Sequence, residues 1–132
     1  MAWISEKYAD LLKDDTRAFA SLATLMKDGS PQLTPIWFNT DGKHILINSA
    51  VGRIKDINMR RDPRVALVIV DPKDPYRYFQ VRGKIVEITT QGARAHIDAL
   101  AKKYTGADKY TSGREGEVRV TYKILPDNIH ER

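Results

Sequence analysis

Arg53 and Lys55 are the residues whose types and placement point most directly to chemistry in this sequence. They follow the apolar run His44 to Asn48 and the short link Ser49-Ala50-Val51-Gly52, and they precede Asp56-Ile57-Asn58-Met59-Arg60-Arg61-Asp62-Pro63. That order reads as strand, tight turn and helix start. The first turn of a helix exposes unpaired N–H groups and the positive end of the dipole, so each cation there costs roughly 0.3–1 kcal/mol. An anion held by those amides and the two side chains turns the repulsion into attraction, which is how helix starts bind phosphate. The residues leave a second reading open, in which both side chains reach solvent and Asp56 compensates them.

Other chemistries are poorly served. The chain has no cysteine, which excludes a disulfide framework, a thiolate metal site and a cysteine nucleophile together. His44, His96 and His130 are scattered, with no i, i+4 pair or carboxylate arrangement suited to a metal. Ser21 and Ser49 sit in or beside strand patterns without a nucleophile turn.

The elements that must position Arg53 and Lys55 are mostly strands. Ile4, Tyr8, Leu11 and Leu12 recur at helical spacing and predict a short amphipathic first helix that packs as a lid. Ala18 to Leu25, Gln32 to Phe38 and Lys43 to Asn48 read as strands. The Asp-Gly pairs at 28–29 and 41–42 join them as successive hairpins, so the sheet is expected to begin as a meander. The helix from Arg53 to Arg61 must end before Asp62-Pro63. Arg64 to Val70 is a nearly continuous apolar run, as in a strand buried on both faces. Arg77 to Ile88 reads as a long bent strand with Gly83 as its bulge. Gln91 to Tyr104 reads as a helix with Ala95, Ile97, Leu100 and Ala101 on its apolar face, and Val118 to Leu125 closes the sheet. The expected fold is mainly β (α+β): a six-stranded antiparallel split β-barrel with three covering helices, in a single domain over 1–132.

The chain of 132 residues carries a formal charge of +5, and its pI near 9.5 favours phosphorylated or polyanionic partners. The basic residues cluster in Arg53 to Arg64 and Lys73 to Lys84 among apolar residues that strands bury, without a basic tail. Tyr76, Tyr78 and Phe79 near basic residues are a possible base-stacking set, but they alternate as a strand should, and no nucleic-acid partner is expected. No run approaches the ~18 apolar residues of a membrane span, and Met1 to Tyr8 has no signal-like apolar stretch. A cytoplasmic protein without a membrane partner is the expectation.

The same residues, in this order, resemble the pyridoxamine 5'-phosphate oxidase-like split-barrel family of flavin and deazaflavin proteins, and within it the branch that uses the deazaflavin coenzyme F420. The resemblance is carried by Asp28-Gly29-Ser30-Pro31-Gln32-Leu33-Thr34-Pro35-Ile36-Trp37-Phe38, by Asn48-Ser49 followed by Arg53-Ile54-Lys55, and by Asn58-Met59-Arg60-Arg61-Asp62-Pro63-Arg64-Val65. Pro75-Tyr76-Arg77-Tyr78 leading to Val81-Arg82-Gly83, then Lys103-Tyr104-Thr105-Gly106 and Gly116-Glu117-Val118-Arg119-Val120, complete it. Together they run from about Phe19 to Pro126.

The resemblance implies a homodimer with the cofactor in the groove between subunits. It places the cofactor phosphate on Arg53 and Lys55 and the ring system along Gln32, Leu33, Thr34, Pro35 and Ile36. Asn48 and Ser49 would lie near the phosphate and ribityl chain, and Tyr78 would reach the cofactor from the second subunit. Lys27, Lys55, Arg60 and Arg61 are candidates for the acidic tail of F420. A reaction carried by the cofactor also removes the need for a protein-borne acid, base or nucleophile. The implied function is hydride transfer from reduced F420 to a small conjugated or quinone-like acceptor, with Pro35, Ile36 and Trp37 as one wall of the pocket. The alternatives are an FMN-dependent oxidase or reductase of the pyridoxamine 5'-phosphate oxidase type, and a non-catalytic cofactor-binding protein. The C-terminal Pro126-Asp127-Asn128-Ile129-His130-Glu131-Arg132 lacks the Arg-x-His-type motif of a true pyridoxamine 5'-phosphate oxidase.

Overall fold

The computed structural model describes residues 3–132. Seven antiparallel strands form one sheet: β1 (Phe19–Leu25), β2 (Pro31–Ile36), β3 (Asn39–Thr40), β4 (Ile45–Ala50), β5 (Arg64–Asp71), β6 (Asp74–Thr89) and β7 (Arg119–Glu131). Two α-helices, α1 (Ile54–Arg61) and α2 (Ala93–Thr105), accompany them. The order across the sheet is β2-β1-β5-β6-β7-β4-β3. β2 and β3 are thus opposite edges, yet only Trp37 and Phe38 separate them in sequence. Three residue steps span at most ~11 Å, so the sheet must curl until its edges nearly meet. That chain link makes it a split barrel.

This corrects the expected meander. The first Asp-Gly pair does join β1 to β2, with Leu25 opposite Pro31. The second joins β3 to β4, with Thr40 opposite Ile45, and β4 takes β7 rather than β2 as its long partner. Trp37 and Phe38 carry the chain across the split, and the two-residue β3 is the strand beyond the expected six. The lid helix is corrected too: only Ala9–Leu12 is helical, as a single 3-10 turn. Its apolar residues are still core, since Ile4, Tyr8, Leu11 and Leu12 are all buried.

The barrel interior is filled by alternate residues of the strands, among them Leu22, Ile45, Ile47, Leu67, Ile69, Phe79, Val81, Tyr122 and Ile124, with Met59 of α1. On β5, Val65, Leu67 and Ile69 are buried, whereas Ala66, Val68 and Val70 are half-buried. The expectation that this strand is covered on both faces therefore fails within one chain. On α2, Ile97, Leu100 and Ala101 face inward, with Ala93 and Lys103 in place of the expected Ala95. β7 continues to Glu131 and pairs with β6 along its length.

Gly83 marks the bend of β6, where the register against β7 shifts between Arg82 and Gly83. A Cβ there would lie 2.3 Å from the carbonyl oxygen of Leu125. Backbone must move to admit it, so Gly83→Ala is expected to lower stability by about 1–3 kcal/mol, measurable as a fall in the urea unfolding midpoint.

Candidate functional site

The turn between β4 and α1 is built around a buried carboxylate. Gly52 takes φ +91 and its amide donates to Asp56 Oδ2 at 2.9 Å. The Tyr122 hydroxyl donates to Asp56 Oδ1 at 2.5 Å, and Arg60 Nε donates to the same oxygen at 2.9 Å. Asp56 is thereby committed inward, and it does not compensate Arg53 or Lys55. Arg53 has extended dihedrals and stands at the N-cap of α1 without a side-chain capping bond.

Arg53 instead meets Glu117, with Nη2 at 3.3 Å from Oε2. Glu117 Oε1 also accepts from Arg119 Nη1 at 3.0 Å, and Arg119 Nε donates to Asn48 Oδ1 at 2.9 Å. The Arg119 guanidinium lies over the Tyr110 ring, 5.0 Å from its centroid. Lys55 has no ion-pair partner among the described residues. Burial, then the charges of Arg53 and Arg119, push its ammonium below the usual lysine range. Arg53, Lys55 and Arg119 thus face one space, with Arg17 also in its lining, and Glu117 is bonded to two of them.

The other end of the same space is aromatic. Trp37 stacks on Tyr104, with centroids 5.5 Å apart and planes 3° from parallel, and meets Tyr110 edge-on at 6.0 Å. Tyr104 is fixed by its hydroxyl, which donates to Ala18 O at 3.0 Å. Beneath it, Lys103 Nζ donates to Phe38 O at 2.9 Å and lies 4.4 Å from the Phe38 ring centroid. Burial pushes the Lys103 ammonium down to about 8. The resulting groove has a volume of about 1030 Å³ and joins Pro35, Ile36 and Trp37 to Asn48, Arg53, Lys55 and Arg119.

Of the residues expected at a ligand, the structure brings Pro35, Ile36, Asn48, Arg53 and Lys55 into this groove. The others lie off it. The Gln32 amide oxygen accepts from the Thr24 hydroxyl at 3.1 Å, and Leu33 is exposed on the outer face of the sheet. The Thr34 and Ser49 hydroxyls are buried and have no hydrogen-bond partner among the described residues. Tyr78 pairs with Val70 across the β5–β6 ladder. Among the tail candidates, Arg60 is held by Asp56, Arg61 Nη2 by Leu25 O and Asn58 Oδ1, and Lys27 stands exposed in the β1–β2 turn.

Sequence reasoning gave no ligand role to Arg119, Tyr104 or Tyr110. Arg119 sits opposite Ala50 in the β4–β7 ladder, which brings it to the end of β4 where Arg53 begins the helix. Its signal was a lone cation opening an apolar strand. His96, a lone histidine with no metal-like spacing in the sequence, is the hub behind Asn48. Its Nδ1 lies 3.1 Å from both Asn48 Nδ2 and Thr121 Oγ1, and its Nε2 lies 2.9 Å from Asn39 Oδ1. Burial, then Arg119, lowers the His96 pKa to about 4.

A split barrel with cations at one end of a groove and flat aromatic walls at the other is a domain for a phosphorylated, ring-bearing small molecule. The chain belongs to the pyridoxamine 5'-phosphate oxidase family, whose model, described as Pyridoxamine 5'-phosphate oxidase, matches residues 4–131. Among solved structures it is similar to an F420 reductase, at 29% identity over 98% of this chain and 100% of that one, with a TM-score of 0.83. It is also similar to a conserved hypothetical protein of Mycobacterium tuberculosis, at 25% identity over 96% of this chain and 82% of that one, with a TM-score of 0.72. A Listeria innocua protein provisionally named a pyridoxamine 5'-phosphate oxidase shares the fold, at 19% identity over 96% of this chain and 95% of that one, with a TM-score of 0.69. The family is one of flavin- and deazaflavin-type oxidoreductases.

His96 gives the site a pH signature. Its folded pKa lies near 4, below the ordinary 6.5, so between those values the unfolded chain takes up a proton that the folded chain refuses. That part of the stability is present above about 6.5 and is lost as pH falls toward 4. His96→Gln is expected to remove it, so urea unfolding at pH 7 and pH 5 should show a smaller acid loss in the variant than in the wild type.

Proposed function

We propose that this protein is an oxidoreductase that uses reduced coenzyme F420 to transfer a hydride to a small conjugated or quinone-like acceptor. The observation that carries this reading is the single groove that joins Arg53, Lys55 and Arg119 to the wall of Pro35, Ile36 and Trp37. The likeness to an F420 reductase along the whole chain supports the deazaflavin over other ring systems. The residues present fit such a group: unneutralised positive charge at one end, a flat apolar slot at the other, and a volume at the upper end of the ~300–1,000 Å³ typical of ligand pockets.

The cofactor, when bound, supplies the two-electron chemistry. The chain supplies orientation and exclusion of water. Lys55 and Arg53 anchor the phosphate, and the charge that burial disfavours on Lys55 is stabilised once an anion neutralises the cluster. Pro35 and Ile36 lie against the ring. Trp37, locked by Tyr104, bounds the space left for a planar acceptor. Arg53 and Lys55 accept the phosphate of FMN by the same chemistry, so an FMN-dependent oxidase or reductase is the second reading.

The protein acts as a homodimer on this reading. The outer face of the sheet carries Leu33, Ala23 and Ala66 in one cross-strand row and Pro35, Ser21 and Val68 in the next. Phe19 and Leu33 there are 64% and 67% exposed, an apolar surface that a second copy would cover. Gln80 and Tyr78 continue that face through Val68 and Val70, which would aim Tyr78 at the partner's groove rather than its own. No helix among the described residues is long and apolar enough to cross a membrane.

Fluorescence titration is expected to show saturable F420 binding tighter than FMN binding, and no saturation at high micromolar F420 would refute the assignment. Lys55→Ala should weaken the favoured cofactor by about 1.5–3 kcal/mol, as for a charge-assisted contact. Val68→Glu places a charge on the outer face without touching the barrel interior. Sedimentation should show a dimer become a folded monomer, and a wild-type monomer would rule out the shared groove.

A further inference from the structure

One carboxylate is bonded to the arginines at the cationic end of the groove, and nothing about anchoring a phosphate requires it. Glu117 accepts from Arg119 Nη1 at 3.0 Å and from Arg53 Nη2 at 3.3 Å. Its own backbone amide donates to Arg114 O at 3.2 Å. It is firmly seated: its side chain is 11% exposed, and a Cβ added at Gly113 would lie 2.1 Å from Oε1. Asp56 faces away, toward Tyr122, Gly52 and Arg60. The groove is lined by Arg17, Arg53, Lys55 and Arg119, and Glu117 is the carboxylate paired with two of them, Arg53 and Arg119, which leaves a surplus of three positive charges from four cations and one anion.

We infer that Glu117 discriminates among phosphate esters by their charge, narrowing the advantage of a phosphomonoester over a phosphodiester and so shifting the preference from FMN toward F420. The inference rests on the reading that Arg53 and Lys55 hold the cofactor phosphate. A phosphomonoester carries about −1.5 to −2 at neutral pH, whereas the bridging phosphate of F420 is a diester with about one negative charge. A fixed carboxylate repels each unit of incoming charge. In a partly dry groove, where the effective dielectric is on the order of 20, the extra unit costs roughly tenfold in affinity. The cations attract the second charge as well, so the pocket without Glu117 would favour the monoester. With the carboxylate in place that advantage is cut back. The glutamates of the F420 tail lie beyond its phosphate and feel Glu117 less.

The test is a fluorescence titration of F420, FMN, and the phosphate-free form of each, 8-hydroxy-5-deazariboflavin and riboflavin. Glu117→Gln is expected to leave both phosphate-free ligands within about twofold of wild type. FMN should tighten by roughly tenfold more than F420 does. Glu117→Asp, which keeps the charge, should keep most of the wild-type preference. Gly113→Ala, which pushes the carboxylate from its seat, should move the ratio in the same direction as Glu117→Gln and provides a readout if that variant does not fold. An equal change for FMN and F420, or weaker binding of both, overturns the inference while leaving the phosphate site intact. If Lys55→Ala weakens phosphate-bearing and phosphate-free ligands alike, the phosphate end is itself misassigned and the inference falls with it.

Discussion

The buried carboxylate of Asp56 is the contact on which the groove depends. It joins three elements: the β4–α1 turn through the Gly52 amide, the barrel wall through Tyr122, and the helix through Arg60. Charge-assisted bonds to a buried carboxylate are each worth more than neutral ones, and together they hold its pKa below the usual range against burial, the largest opposing influence. Burial and that same carboxylate push the Tyr122 phenol far above its usual range. The consequence is directional. With Asp56 consumed from within, Arg53 and Lys55 have no carboxylate on their own helix to turn to, and their charge is left facing the groove.

Barrel closure depends on a different constraint, and it explains where the fold was legible and where it was not. The strand patterns of Phe19 to Leu25, Arg64 to Val70 and Arg77 to Ile88 all appear as strands, because alternation and turn residues act locally. Pairing is not local. Nothing in Asp41-Gly42 tells whether the strand before it is the long run ending at Phe38 or the two residues Asn39–Thr40. The curled sheet decides that, since Trp37 and Phe38 must cross from one edge to the other. The first segment shows the same limit: apolar spacing at Ile4, Tyr8, Leu11 and Leu12 named core residues correctly, but four contacts with the barrel end do not require a full helix, and one 3-10 turn suffices.

The candidate site was legible to the same degree. Arg53 and Lys55 were conspicuous because their charge opposes the helix dipole, a conflict visible within seven residues. Arg119 and Tyr110 reach the same space, and Glu117 is paired with Arg119, only through the β4–β7 ladder and the segment before it, so their proximity to Arg53 has no local signature. Ser49 shows the converse. Its neighbour Asn48 turns out toward α2 and Arg119, and the strand period of two then sends Ser49 inward, where its hydroxyl is buried.

The half-covered face of β5 carries the remaining step. A strand with Val65, Leu67 and Ile69 inside and Ala66, Val68 and Val70 outside is apolar on both sides, yet one chain buries only the first. The pattern that suggested a doubly buried strand is met on one face only in the single chain, and a second copy, as proposed above, would cover the other. The groove opens beside this same face, since Phe19, Ser21 and Pro35 belong to both. Covering the face with a second copy would therefore also wall the groove, shielding its cations from water and strengthening every charge contact within it. The stability of such an assembly and the strength of anion binding would then draw on one surface.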